Sequence, residues 1–320
     1  MGFFYFFTKV SANYIPGGLC IDFLWYSIFL GLNGFKRKIL AHFFQEGFNS
    51  LQAHSGLYKL QIQNHRGLTM KTISFALQKG GTGKTSISVS TAVTLAEKGK
   101  NVLLLDADPQ GNATTWLGVD EISIELADVL MKKSLVKEAL TKTSVENLSI
   151  IPTASLDSDL RLYSKTLATQ QPFIIKHLCR EVKDDFDFLI IDTSPSFGAL
   201  EESCFLASDE AVTVLNIDEF SSDGLITFMQ NIDSLKERYD TDKPKMDKIV
   251  LNSRDLRLIQ QSDYLERIKN ATDSKLYIVP VDQSFRKAQS VHIPIQYLEG
   301  VKKETIAVIE KLANDILGEE

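Results

Sequence analysis

The chain has 320 residues, with 35 Lys/Arg against 41 Asp/Glu, a net charge of −6 and 44% apolar residues. That length fits one large domain or two ordinary ones, and the mild acidity excludes a polybasic chain drawn to nucleic acid by its net charge. Cys20, Cys179 and Cys204 are too few and too scattered for a disulfide framework or a cysteine zinc site, so reduced cysteines in a cytoplasmic protein are expected.

The opening segment differs in kind from the rest of the chain. Residues 1–69 carry six basic residues but only Asp22 and Glu46 as acids, and they hold half of all the aromatics. The apolar run 17–32 is short for a bilayer crossing, contains Asp22, and is followed by no small-residue cleavage site. Met70-Lys71-Thr72-Ile73, by contrast, starts a core strand at once. We therefore expect the biological chain to start at Met70, with 1–69 a misassigned start or an extension outside the fold and 70–320 the folded domain.

From Met70 the elements come in a regular order. A buried strand over 72–77 leads into Gln78-Lys79-Gly80-Gly81-Thr82-Gly83-Lys84-Thr85-Ser86, and a helix over 86–98 carries Val89, Ala92, Val93 and Ala96 at helical spacing before Gly99. Strand, glycine loop and helix are the setting of the phosphate loop G-x-x-x-x-G-K-[ST], although Gln78 stands where its first glycine belongs. In such a loop the backbone amides cradle phosphates, Lys84 meets the β- and γ-phosphates, and the Thr85 hydroxyl holds Mg²⁺. Lys79 is a cation beyond that pattern.

The next strand, 101–106, runs into Asp106-Ala107-Asp108-Pro109-Gln110-Gly111-Asn112. Side chains two apart in a strand share a face, so Asp106 is assigned to the metal and Asp108 to orienting the attacking water. A strand over 188–192 ends in Asp192, the second acid placed at the metal. Further strands at 212–215, 248–251 and 277–279 alternate with helical patterns at 125–132, 173–182, 224–238, 264–270 and 305–317. Continuous β-branched and leucine runs between helices read as an α/β fold, a doubly wound, mostly parallel sheet with ligands at the carboxyl ends of its strands. Asn252, Pro280 and Asp282 lie at such ends and are candidates for the base of a nucleotide.

The segments QKGGTGKTS, LLLDADPQGNATTWLG and FLIIDTSPSFG, in this order, resemble the ParA/Soj family of partitioning ATPases with a deviant Walker A loop. The likeness runs on to VPVDQSFRKAQSVHIPI and covers about 70–317. It implies a P-loop ATPase using ATP and Mg²⁺, with Lys79 reaching across a nucleotide-sandwich homodimer to the partner's phosphates, and Lys79, Lys84 and Asp108 as the catalytic set. It also implies non-specific DNA as a matrix, a ParB-like activator, and a cytoplasmic, nucleoid-associated protein segregating a chromosome or plasmid. Arg254, Arg257, Arg267 and Lys269 are the candidate DNA contacts, with Arg286, Lys287, Lys302 and Lys303 beside them. Ser194 departs from the family, which has a proline there.

Two related readings compete with partitioning. A MinD-like membrane switch needs a basic amphipathic helix at its end, whereas the last residues here are acidic, so no stable membrane association is expected. A metabolic enzyme of the same superfamily needs an acid–base cluster for its second substrate, and the sequence shows none.

Overall fold

The structure, a computed structural model, describes residues 70–77, 79–154, 159–216, 221–252 and 263–319. The chain divides into two units between Gly67 and Leu68, and all of these residues belong to the second. The expectations for 1–69, Gln78, Arg254 and Arg257 lie outside the described residues, as does the side chain of Arg267.

Chain order gives β1 (Lys71–Ala76), α1 (Lys84–Glu97), β2 (Val102–Ala107), α2 (Asn112–Trp116), α3 (Leu126–Leu130), β3 (Thr141–Lys142) and β4 (Leu148–Ile151). Next come α4 (Asp159–Thr166), α5 (Ile174–Val182), β5 (Phe188–Thr193), α6 (Ala199–Ala207), β6 (Glu210–Asn216), α7 (Ser221–Tyr239) and β7 (Lys245–Asn252). The last elements are α8 (Asp263–Ala271), β8 (Lys275–Val279), α9 (Ser284–Ser290) and α10 (Lys303–Leu317). The strands form one sheet in the order β3-β4-β2-β5-β1-β6-β7-β8. All neighbours are parallel except β3, which runs antiparallel to β4.

The central strands are covered on both faces, which is why they read as unbroken apolar runs. Alternate residues go to opposite sides. Ile73, Phe75, Val102, Leu104 and Ile190 share a core with Val89 and Val93 of α1 and Ile309, Leu312 and Ile316 of α10. Leu103, Leu105, Leu189 and Ile191 share another with Leu126, Leu160, Ile175 and Leu200 of α3 to α6. Leu215, Ile249 and Leu251 pack with Phe228 and Ile232 of α7 and Ile268 of α8.

The doubly wound sheet matches the sequence expectation, with additions. α2, β3, β4, α4, α6 and α9 have no counterpart in the predicted elements, and α7 starts at Ser221 instead of 224. What the topology does for the site is plain. β1, with the glycine loop at its end, lies between β5 and β6, so Asp192 at the end of β5 flanks the loop on one side and Asn216 at the end of β6 on the other.

Candidate functional site

The loop after β1 turns by means of two left-handed glycines, Gly81 at φ 73° and Gly83 at φ 93°. Gly83 caps α1, and a side chain there meets more than backbone strain: a Cβ would lie 2.3 Å from Asn252 Nδ2. Glycine is thus required by both torsion and contact. The first turn of α1 then brings Lys84, Thr85 and Ser86 to the loop, where the helix N-terminus favours an anion.

Lys84 is 6% exposed, and its Nζ donates to the carbonyls of Leu77 at 3.2 Å and Lys79 at 3.1 Å. Burial pushes its ammonium below the ordinary lysine value, while Asp192, Asp108 and Glu201 pull the other way. A cation held by carbonyls in a desolvated loop gains from an arriving phosphate. Thr82 Oγ1, also buried in this loop, has no hydrogen-bond partner among the described residues.

Asp192 is fully buried and accepts from Thr85 Oγ1 at 2.7 Å and from Ser88 Oγ at 3.0 Å. Burial, with Asp108 near, raises its carboxyl to about 6 although both hydroxyls oppose the shift. Ser88 lies one turn after Thr85 on α1, and sequence reasoning passed over it. Asp108, 7% exposed, accepts from Gln110 N at 2.9 Å through Oδ1. Burial raises it as well, against the pull of Gln110 N–H and Lys84.

Asp106 is the acid that the sequence assigns to the metal beside Asp108. It is fully buried, and Oδ2 accepts from Thr114 N at 2.8 Å and Thr114 Oγ1 at 2.7 Å. Its neighbour in register is Asp192, and burial with that adjacent acid lifts it to about 8. Asp106 ties the start of α2 to the sheet. The shared-face argument could not disclose the Thr114 contact, because Thr114 comes from the next helix.

The other assigned residues are placed around this centre or away from it. Asn252 donates Nδ2 to Thr82 O at 3.0 Å, on the loop itself. Pro280 is buried just past β8. Asp282 accepts through Oδ1 from Ser284 N at 2.9 Å, and through Oδ2 from Lys302 N at 3.0 Å and Thr305 Oγ1 at 2.9 Å. Its carboxylate therefore joins the end of β8 to the start of α10. Gly80 is exposed beside Pro195, and Lys79 is half-buried. Lys269, Arg286, Lys287, Lys302 and Lys303 are exposed. Where proline would have stiffened the turn after β5, Ser194 Oγ donates to Glu201, which also accepts from Gly198 N at 2.9 Å.

Among the described residues no group of three or more His, Cys, Asp or Glu side chains converges as a metal cage. Thr85 and Asp192 are nonetheless hard oxygen donors already in contact. Magnesium characteristically takes only one or two protein oxygens and completes its shell with phosphates and water, so this pair fits it.

Comparison with known proteins agrees with this geometry. A family model described as an AAA domain matches residues 70–248. The virulence plasmid ParA family protein pGP5-D of Chlamydia psittaci is 36% identical over 235 residues, covering 69% of this chain and 86% of that protein. The sporulation initiation inhibitor protein Soj of Bacillus subtilis strain 168 is 30% identical over 222 residues, covering 69% and 87%. Among solved structures, the septum site-determining protein MinD of Pyrococcus horikoshii OT3 complexed with Mg-ADP superimposes with a TM-score of 0.64 at 26% identity, over 77% of this chain and 96% of that one. With its glycine loop, its strand-end acids and these relatives, the chain belongs to the ParA/Soj family of deviant P-loop ATPases.

Proposed function

We propose that this protein is a Mg-ATP-dependent DNA-partitioning ATPase, a chromosome or plasmid segregation switch that closes on ATP as a sandwich homodimer, grips non-specific DNA and is reset by a ParB-like partner. The observation that carries the reading is the Thr85–Asp192 contact beside the buried Lys84, at the mouth of a loop built to hold an anion. The relatives named for the ParA family and for chromosome partitioning support the biological setting.

In this reading the amides of 79–86 receive the phosphates, and Lys84 exchanges the Leu77 and Lys79 carbonyls for phosphate oxygens. Thr85 and Asp192 would hold Mg²⁺, which when bound would neutralise phosphate charge. Asp108, with Oδ1 fixed by Gln110, turns Oδ2 to the attacking water and draws its proton. Lys79 belongs to the partner's site, where a second cation stabilises charge developing in transfer.

A membrane-positioning role is opposed by a specific feature. Ile309, Leu312, Ala313 and Ile316 of α10 are buried in the core beside α1, and Ile306, Val308 and Leu317 pack against that core. Among the described residues no helix is long and apolar enough to cross a membrane. The test is turnover of ATP by the wild type and by Asp108→Ala: the variant is expected to bind ATP with little change and to lose about 100-fold or more in rate. An Asp108→Ala protein that hydrolyses ATP at the wild-type rate refutes the assigned chemistry.

A further inference from the structure

We propose that Asn216 and Asn252 form a paired clamp that aims the amides of the glycine loop at the phosphate, so that both are positioning residues for the nucleotide. The inference rests on the nucleotide-binding reading above and adds a role that neither motif nor spacing discloses.

β6 and β7 are parallel neighbours whose last register pair is Asn216 and Asn252. Both side chains turn to the loop after β1. Asn216 Nδ2 donates to Gly81 O at 2.9 Å, and Asn252 Nδ2 donates to Thr82 O at 3.0 Å. Two strand ends thus hold two successive carbonyls from one side.

The consequence follows from the geometry of the peptide group. It is planar and trans, so its C=O and N–H point in opposite directions. The Gly81 carbonyl shares its plane with the Thr82 N–H, and the Thr82 carbonyl shares its plane with the Gly83 N–H. Drawing both carbonyls toward β6 and β7 turns both N–H groups the other way, toward the β5 side of the loop. That is the side from which Asp192 meets Thr85 and where Asp108 and Asp192 act on Lys84. An unheld loop of glycines has to lose that freedom when a phosphate binds, whereas a held one has already lost it.

Gly83 supplies independent support. The space that its missing side chain leaves is the place of Asn252 Nδ2, 2.3 Å from where a Cβ would stand. The glycine that permits the left-handed turn also admits the amide that fixes it.

The experiment measures binding of a fluorescent ADP analogue, and its displacement by inorganic pyrophosphate, for the wild type, Lys84→Ala, Asn216→Leu, Asn216→Asp and Asn252→Leu, with melting temperature followed on each. Asn216→Asp keeps the shape and removes the donor, which covers the case in which a leucine disturbs folding. Each asparagine variant is expected to lose about tenfold in affinity for both ADP and pyrophosphate, the scale of one hydrogen bond, with melting little changed. Pyrophosphate has no base, so a loss seen with ADP alone at Asn252 overturns the clamp in favour of a base contact. Wild-type affinities in the Asn216 variants, while Lys84→Ala loses binding, overturn the clamp and leave the nucleotide reading standing. Wild-type affinity in Lys84→Ala overturns the nucleotide reading itself.

Discussion

Gly83 shows how much one absent methyl group decides. A left-handed alanine costs about 1–2 kcal/mol in backbone alone, and the 2.3 Å approach to Asn252 Nδ2 must be relieved as well. Gly83→Ala is therefore expected to destabilise the fold by at least that backbone amount and to weaken nucleotide binding; denaturant melts and ADP titration check it. Asp106 contributes a pH dependence. Its carboxyl, lifted to about 8 from an unfolded value of 3.8, keeps a proton in the native state that the unfolded chain has released. Native protein then binds more protons across that window, so stability falls as pH rises through it. Asp192, raised only to about 6, is largely ionised above about pH 7, and Asp106→Asn is expected to flatten the decline in melting temperature measured there without nucleotide or magnesium. An unchanged slope contradicts the assignment. Lys79→Ala separates roles in a similar way: monomers are expected to bind ATP and fail to dimerise, as read by light scattering, whereas a lysine acting in its own loop loses both.

At the same scale the sequence was unevenly informative. Lys84, Thr85 and Asp192 were legible because phosphate chemistry demands those types at strand and helix ends. The bond from Thr114 to Asp106 was not legible, because Thr114 lies on the following helix and a strand-face argument is blind to it. Asn216 carried no signal, since a lone asparagine after a strand resembles any turn residue.

Among elements, α10 tests the packing. Its Leu312 is 1% exposed within the core shared with α1, so Leu312→Ala is expected to cost about 2–5 kcal/mol. Chemical denaturation measures it, and a cost below about half a kcal/mol contradicts the buried placement. The parallel strands were legible because both faces of each are covered, which leaves long apolar runs in the sequence. β4 was not, with only Leu148-Ser149-Ile150-Ile151 to mark it, and β3 has two residues. α6 was hidden for another reason: Glu201 and Glu202 interrupt its apolar pattern, and Glu201 is buried by its bonds to Ser194 and Gly198. Tertiary partners, absent from any local pattern, decide such elements.

For the whole molecule, the difference in composition at residue 70 motivates a truncation. The 70–320 protein is expected to melt and to turn over ATP as the full chain does, and loss of either contradicts the proposal that 1–69 is dispensable. The central claim is a nucleotide-gated grip on DNA, and the Asp108→Ala protein, expected to be trapped with ATP, tests it without turnover. Fluorescence anisotropy of two unrelated DNA duplexes, titrated with this variant in ATP, in ADP and without nucleotide over a range of salt, is the direct measurement. The account expects binding in ATP alone, equal for both duplexes and falling steeply with salt as counterion release loses its driving force. Equal binding in ADP or without nucleotide, or no DNA binding in ATP while anionic vesicles are bound, contradicts it.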